Sequence, residues 1–254
     1  MTQKDIPNCF LPVTQLSEKL EKGVLSSLDL IEEYLERIRK HDRNLGAFID
    51  VYEEEARKAA SASDMARASG HIIGPLQGIP VAVKDIIDIE GKITTGGSMV
   101  WKDRRSSLTA TLVRRMVEAG MIVLGKTHTV EFAMGSFGTN QHMGSPKNPW
   151  DLEDHRATGG SSAGTAAAVA AGLTPWGIGT DTGGSVRIPS AWCGLTGLKT
   201  SVGRISTHGV LPLSHTLDTP GPMCRSVEDA AILYCILAGP DEQDSRTVIH
   251  PIED

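Results

Sequence analysis

Two glycine-flanked serines set the strongest constraint on this chain. Ser161 stands in Thr158-Gly-Gly-Ser-Ser-Ala-Gly164 and Ser185 in Gly179-Thr-Asp-Thr-Gly-Gly-Ser-Val-Arg187, with an Ala-rich segment between them. No hydrophobic core demands this composition. Paired glycines let the backbone take φ > 0 or approach a ligand closely, and a serine beside them is presented on a stiff, shaped loop. The fold must carry both loops. The pattern reads as a site built on a serine nucleophile, with an oxyanion hole supplied by the second loop.

The chain has 254 residues, enough for one sizeable core. Its glycines, 27 in all, concentrate between Gly159 and Gly221, as a loop-built site would require. The net charge of −6 and the lack of any Lys/Arg-rich run argue against direct nucleic-acid binding. The four cysteines lack CxxC spacing and are expected to be reduced and structural. The first twelve residues hold no apolar h-region, and the run 163–173 is too short and glycine-broken to span a bilayer. A cytoplasmic protein with no membrane contact is the expectation.

Residues 1–12 read as an irregular arm and 13–254 as one domain. Leu16 and Leu20 before Gly23 suggest a short helix. Ser26-x-x-Asp29 opens a longer one, with Leu28, Ile31, Leu35 and Ile38 at helical spacing. Residues 50–69 read as a polar, Ala-rich helix. The apolar run 79–84 reads as a buried strand, 107–119 as an amphipathic helix, 121–125 as a second strand and 176–179 as a third. Ser226-x-x-Asp229 caps a last helix through Leu237. Helix and strand in alternation imply an α/β architecture with parallel pairing.

Lys84 directly follows the first buried strand, where α/β sheets commonly face a ligand crevice. Burial there would lower its pKa and make it a usable base. The plainer alternative is a lysine paired with Asp85 or Asp88. Gly160-Ser-Ser-Ala-Gly164 also fits the G-x-S-x-G elbow with Ser162 as nucleophile, and Asp181, Asp218, His208 and His215 are available as partners. That elbow needs a preceding strand, and residues 151–158 are polar, so the elbow is disfavoured. Asp181-Thr-Gly183 occurs once, whereas an aspartic-protease site needs two carboxylates. Backbone amides around Thr182, Gly183 and Gly184 suit a developing oxyanion. Arg187 suits either a substrate carboxylate or a structural salt bridge with Asp181. The eight histidines show no metal spacing, so neither metal nor other cofactor is expected.

Taken together these residues resemble the amidase signature family. The resemblance rests on Gly159-Gly-Ser-Ser-Ala-Gly164, on 179–199, on Gly78-Ile-Pro-Val-Ala-Val-Lys-Asp85, and on Leu124-Gly-Lys-Thr127. Glu131-Phe-Ala-Met-Gly135, Lys147-Asn-Pro-Trp-Asp151 and Leu217-Asp-Thr-Pro-Gly-Pro222 extend it. It implies a mixed sheet flanked by helices and a Ser–cisSer–Lys triad. In that triad Ser185 is the acylated nucleophile, Ser161 follows a cis bond from Gly160, and Lys84 is the ultimate base. Thr182, Gly183, Gly184, Ser162 and Arg187 then serve the oxyanion or the substrate. The implied activity is hydrolysis of a small linear amide. An alternative is the ammonia-releasing A subunit of a glutamyl-tRNA(Gln) amidotransferase, disfavoured because Arg187-Ile-Pro-Ser lacks an Arg-Gln-Pro run. Another is an inactive fragment that acts by association. Family members are typically about twice this long, so the resemblance implies a fold incomplete at the C-terminus, with a homodimer or partner subunits as possible associates.

Overall fold

The computed structural model describes residues 6–249. Its centre is built from three of the apolar runs: β2 (Pro80–Lys84), β3 (Ile122–Thr127) and β4 (Gly177–Asp181), parallel and in the order β3-β2-β4. Every residue of β2 and β4 is buried, as expected where both faces of a parallel sheet are covered. Helix α4 (Thr111–Glu118) links β2 to β3, and α5 (Ala163–Ala170) lies between β3 and β4. These crossovers run in opposite lateral directions, so a common right-handed sense places the two helices on opposite faces. Helix α5 touches the sheet along its length, and 163–169 are buried. A Cβ at Gly164 would lie 2.3 Å from the Ala47 carbonyl oxygen and 2.4 Å from the His128 nitrogen, so only glycine allows this approach.

Antiparallel strands flank the parallel centre. β1 (Phe48–Val51) pairs with β3, β6 (Thr219–Cys224) with β4, and the two-residue β5 (Thr196–Gly197) with β6. The full order is β1-β3-β2-β4-β6-β5, a mixed six-stranded sheet. Strand–helix alternation predicts only the parallel pairs. Pro220 and Pro222 stand opposite Thr180 and Ile178. Being two residues apart, they put both missing N–H groups on one edge of β6, so the strand tolerates them. Residues 48–51, in part read as helix, form β1, and α3 (Glu53–Ala68) starts after it.

The serine caps act as the sequence predicts. Ser26 Oγ accepts from the Asp29 amide at 3.0 Å to start α2 (Ser27–Leu45), and Ser226 Oγ accepts from the Asp229 amide at 3.1 Å to start α7 (Val227–Leu237). The Asp229 carboxylate also accepts the first amides of α1 (Val13–Glu21), from Val13 at 2.9 Å and Thr14 at 3.1 Å. The amino-terminal arm is docked where it is described: 8–10 form a 3-10 turn and Cys9 and Leu11 are buried. Residues 1–5 of that arm and 250–254 lie outside the described residues. All four cysteines are free, three of them buried. No helix among the described residues is long and apolar enough to cross a membrane.

Candidate active site

Strands β2 and β4 are parallel neighbours whose onward connections leave in opposite directions. Ligand crevices of open α/β sheets form at such switch points, beyond the carboxyl ends of the strands. Here those ends are Lys84 and Asp181. The Lys84 side chain is fully buried and pairs with neither Asp85 nor Asp88. Lys126 lies 2.8 Å from Asp85 inside the protein, and Arg104 binds Asp88 at 2.8 and 3.0 Å. Lys84 Nζ instead donates to Ser161 Oγ at 2.7 Å and to Thr180 Oγ1 at 2.8 Å. Burial pushes its pKa down to about 7, against the opposing pull of the Asp181 and Asp218 carboxylates.

Ser161 reaches the amine because its loop is gripped on all sides. The Gly160–Ser161 peptide is cis. The Gly160 amide donates to the Ser136 carbonyl at 2.7 Å, and the Ser161 carbonyl accepts from the Val130 amide at 3.2 Å and Thr129 Oγ1 at 3.1 Å. A Cβ on Gly160 would fall 2.7 Å from the Gly138 nitrogen. The next residue, Ser162, spends its hydroxyl on β4, accepting from the Thr180 amide and donating to the Thr180 carbonyl, both at 3.3 Å. It makes no approach to Lys84 and serves as a tie between the two loops.

Ser185 lies in the turn between β4 and α6 (Arg187–Cys193). The Asp181 carboxylate organises this turn. It accepts the amides of Gly184 at 2.8 Å, Val186 at 3.1 Å and Arg187 at 3.3 Å, and the Arg187 guanidinium at 2.9 and 3.0 Å. Burial of Asp181 works against its ionisation, but Arg187 and these amides outweigh it and hold the carboxyl below its ordinary pKa. The Gly184 amide is thereby committed to Asp181. The amides of Thr182, Gly183 and Ser185 donate to no acceptor among the described residues. A Cβ on Gly183 would meet nothing within 4 Å, so the turn opens on that side. The Ser185 carbonyl accepts from the Ser162 amide at 3.3 Å, while its hydroxyl has no hydrogen-bond partner among the described residues.

The structure thus brings Lys84 and Ser161 into contact and joins the Ser185 turn to the same loop through Ser162. Three contributors carry no signal in residue type alone. Thr180 supplies a second acceptor to Lys84. Asp218 accepts from Thr182 Oγ1 and from the amides of Leu213 at 2.8 Å and Ser214 at 2.9 Å. The loop 129–138 cradles the cis peptide, with Phe132 and Ala133 at positive φ. The run 131–135 lies within the family resemblance, which is the one hint the sequence offers of that cradle.

This chain belongs to the amidase family, whose model matches residues 29–253. It is 45% identical over 242 residues to the A subunit of the glutamyl-tRNA(Gln) amidotransferase from Halorhodospira halophila, covering 95% of this chain and 49% of that protein. Its fold is similar to that of the peptide amidase of Stenotrophomonas maltophilia, with a TM-score of 0.90 and 38% identity over 98% of this chain and 52% of that one. Against the A subunit of the glutamyl-tRNA(Gln) amidotransferase from Thermotoga maritima the TM-score is 0.82, at 37% identity, over 98% of this chain and 51% of the other. The chain spans about half the length of the curated relatives it matches.

Proposed function

We propose that the site hydrolyses the C–N bond of a small linear amide through a Lys84–Ser161–Ser185 relay. The observation that carries this reading is a fully buried lysine with no carboxylate bonded to it, 2.7 Å from a loop serine hydroxyl. With its pKa near 7, a large share of the amine is neutral at physiological pH. In that form Nζ accepts the Ser161 proton while Ser161 Oγ takes the proton of Ser185 Oγ, which attacks the amide carbon. The Ser161–Ser185 contact closes when substrate is bound, as hydrogen bonds in active sites commonly do. The oxyanion sits against the uncommitted amides of the turn, at Thr182, Gly183 and Ser185; Gly184 shapes the turn. The proton returns through Ser161 to the leaving nitrogen, the C–N bond breaks, and water hydrolyses the Ser185 ester. Arg187 acts by holding Asp181.

A second reading is favoured by the curated relatives themselves, which are the A subunits of amidotransferases. In it the same relay releases ammonia from glutamine, and partner proteins supply the remaining contacts.

Covalent labelling with a fluorophosphonate tests the relay. Wild-type protein should be labelled at Ser185, Ser185→Ala should take no label, and Lys84→Ala should label at least 100-fold more slowly. A folded wild-type protein inert to the probe, or one labelled elsewhere, refutes the assignment. Ammonia release from glutamine against simple amides, with and without candidate partner proteins, separates the two substrates.

A further inference from the structure

A groove of about 480 Å³ lies away from the crevice, between α2, the end of α5 and the loop 149–152. Its wall includes three large apolar side chains that water still reaches: Phe10, Trp150 and Leu152, with Trp150 76% exposed. Such clustered exposure marks a contact surface more often than an accident of folding. The indole does not swing freely, because Trp150 Nε1 donates to the Cys193 carbonyl at 2.9 Å.

The polar side of the groove carries one sign of charge. Arg37, Lys40 and His41 line it, and among the described residues no Asp or Glu does. Arg37 is fixed by the Gly172 carbonyl at 3.0 Å and the Ala171 carbonyl at 2.8 Å, with its guanidinium 4.9 Å from the Phe10 ring centre. Lys40 forms no ion pair among the described residues. Partial burial, then the neighbouring Arg37 and Lys40, lower the pKa of His41. An all-basic edge is unusual on a chain of net charge −6.

We propose that this groove binds a small amphipathic carboxylate, with its apolar tail along Phe10, Trp150 and Leu152 and its acid group at Lys40 and Arg37. Both halves of the argument are needed: the apolar wall alone would take any greasy molecule, and the charge alone any anion. The proposal does not depend on the Lys84–Ser161–Ser185 relay, so neither reading stands or falls with the other.

The test is titration of the purified chain with sodium decanoate, read by isothermal calorimetry and by indole fluorescence, with 1-decanol and acetate as controls. Saturable one-site decanoate binding is expected, at least tenfold tighter than decanol, with acetate inactive. Lys40→Glu and Trp150→Ala should each weaken decanoate binding at least tenfold. Lys40→Glu should leave the melting temperature and probe labelling at Ser185 unchanged, and Trp150→Ala, which also gives up the bond to the Cys193 carbonyl, should stay folded and keep its labelling. Equal affinity for decanol, or decanoate binding indifferent to both substitutions, overturns the proposal. So does an absence of saturable binding, whether or not the groove then proves to self-associate or to hold anionic vesicles.

Discussion

The Asp181 carboxylate and the Arg187 guanidinium, six residues apart, face each other through bonds of 2.9 and 3.0 Å, and the Ser185 turn is strung between them. Asp181 is buried and Arg187 is half exposed. Replacing Asp181 by Asn keeps the volume and removes the charge. Unfolding free energy should fall by about 2 kcal/mol, less than the ~3–5 kcal/mol of a fully buried pair because water screens the arginine. Fluorophosphonate labelling of Ser185 should slow at least tenfold. Denaturant melts with labelling kinetics measure both, and unchanged labelling would mean that the pair does not shape the turn.

Lys84 makes stability depend on pH in a defined direction. Its pKa is about 7 in the folded chain against an ordinary 10.5. Between those values the unfolded chain holds a proton that the folded chain lacks, so stability rises as pH increases from 7 to 10.5. Below pH 7 the cost of a buried charge is felt in full. Lys84→Met should therefore be more stable than wild type at pH 6 and should lack the upward slope. Urea titrations from pH 6 to 9 check this. Parallel slopes would show that the amine keeps its proton on folding.

The rate of probe labelling should follow the same group with the same sign. In the proposed relay the neutral amine is the competent form, so the rate should climb as pH rises through about 7 and level above it. A labelling rate that falls across this range contradicts a lysine base.

Gly164 is a case where local and tertiary preferences disagree. Within α5, alanine is favoured over glycine by about 1 kcal/mol. At this position the added methyl would press on two backbone atoms of Ala47 and His128, which flank β1 and β3, 2.3 and 2.4 Å away, and these cannot swing aside. The clash should win, and Gly164→Ala should lower stability by about 3 kcal/mol or more. Thermal melts decide the sign.

The Lys126–Asp85 pair is wholly enclosed, at 2.8 Å, and Lys126 Nζ also donates to Thr94 Oγ1 at 2.9 Å. Lys126→Met strands a buried carboxylate and should cost about 3–5 kcal/mol. Adding Asp85→Asn should recover much of that loss, and a double-mutant cycle gives the coupling. Additive effects would mean that the two charges do not act together.

Much of the scaffold was legible in the chain. The apolar run ending at Lys84, the run after Gly120 and the one at Trp176 each became a central strand, since two-sided burial leaves a near-continuous apolar signature. Both serine caps were equally plain. The flanking strands were not. β1 holds Asp50 in four residues, and β6 reads Thr219-Pro-Gly-Pro, a turn by composition, until the side on which its missing N–H groups fall is known. In α5, residues 163–169 are buried, which erases the amphipathic period that would announce a helix. Helix α6 carries Pro189 in its first turn, where the missing N–H does no harm. At the site, Lys84 and the serine loops stood out by residue type and spacing. Thr180 did not, because any hydroxyl on a strand looks alike until the neighbouring strand fixes its register. The commitment of the Gly184 amide to Asp181 is likewise a fact of geometry that two adjacent glycines do not announce.

Thr180 engages Ser162 through its amide and carbonyl and Lys84 through its hydroxyl, and the last of these contacts depends on β4 lying in step with β2. Side chains alternate along a strand, so a slip of one residue would turn that hydroxyl to the far face. A misaligned conformer would keep the same residues, lose the grip on the Lys84 amine and, on the proposed relay, be chemically mute. For the proposed relay, alignment of two backbones and readiness to react are thus a single condition.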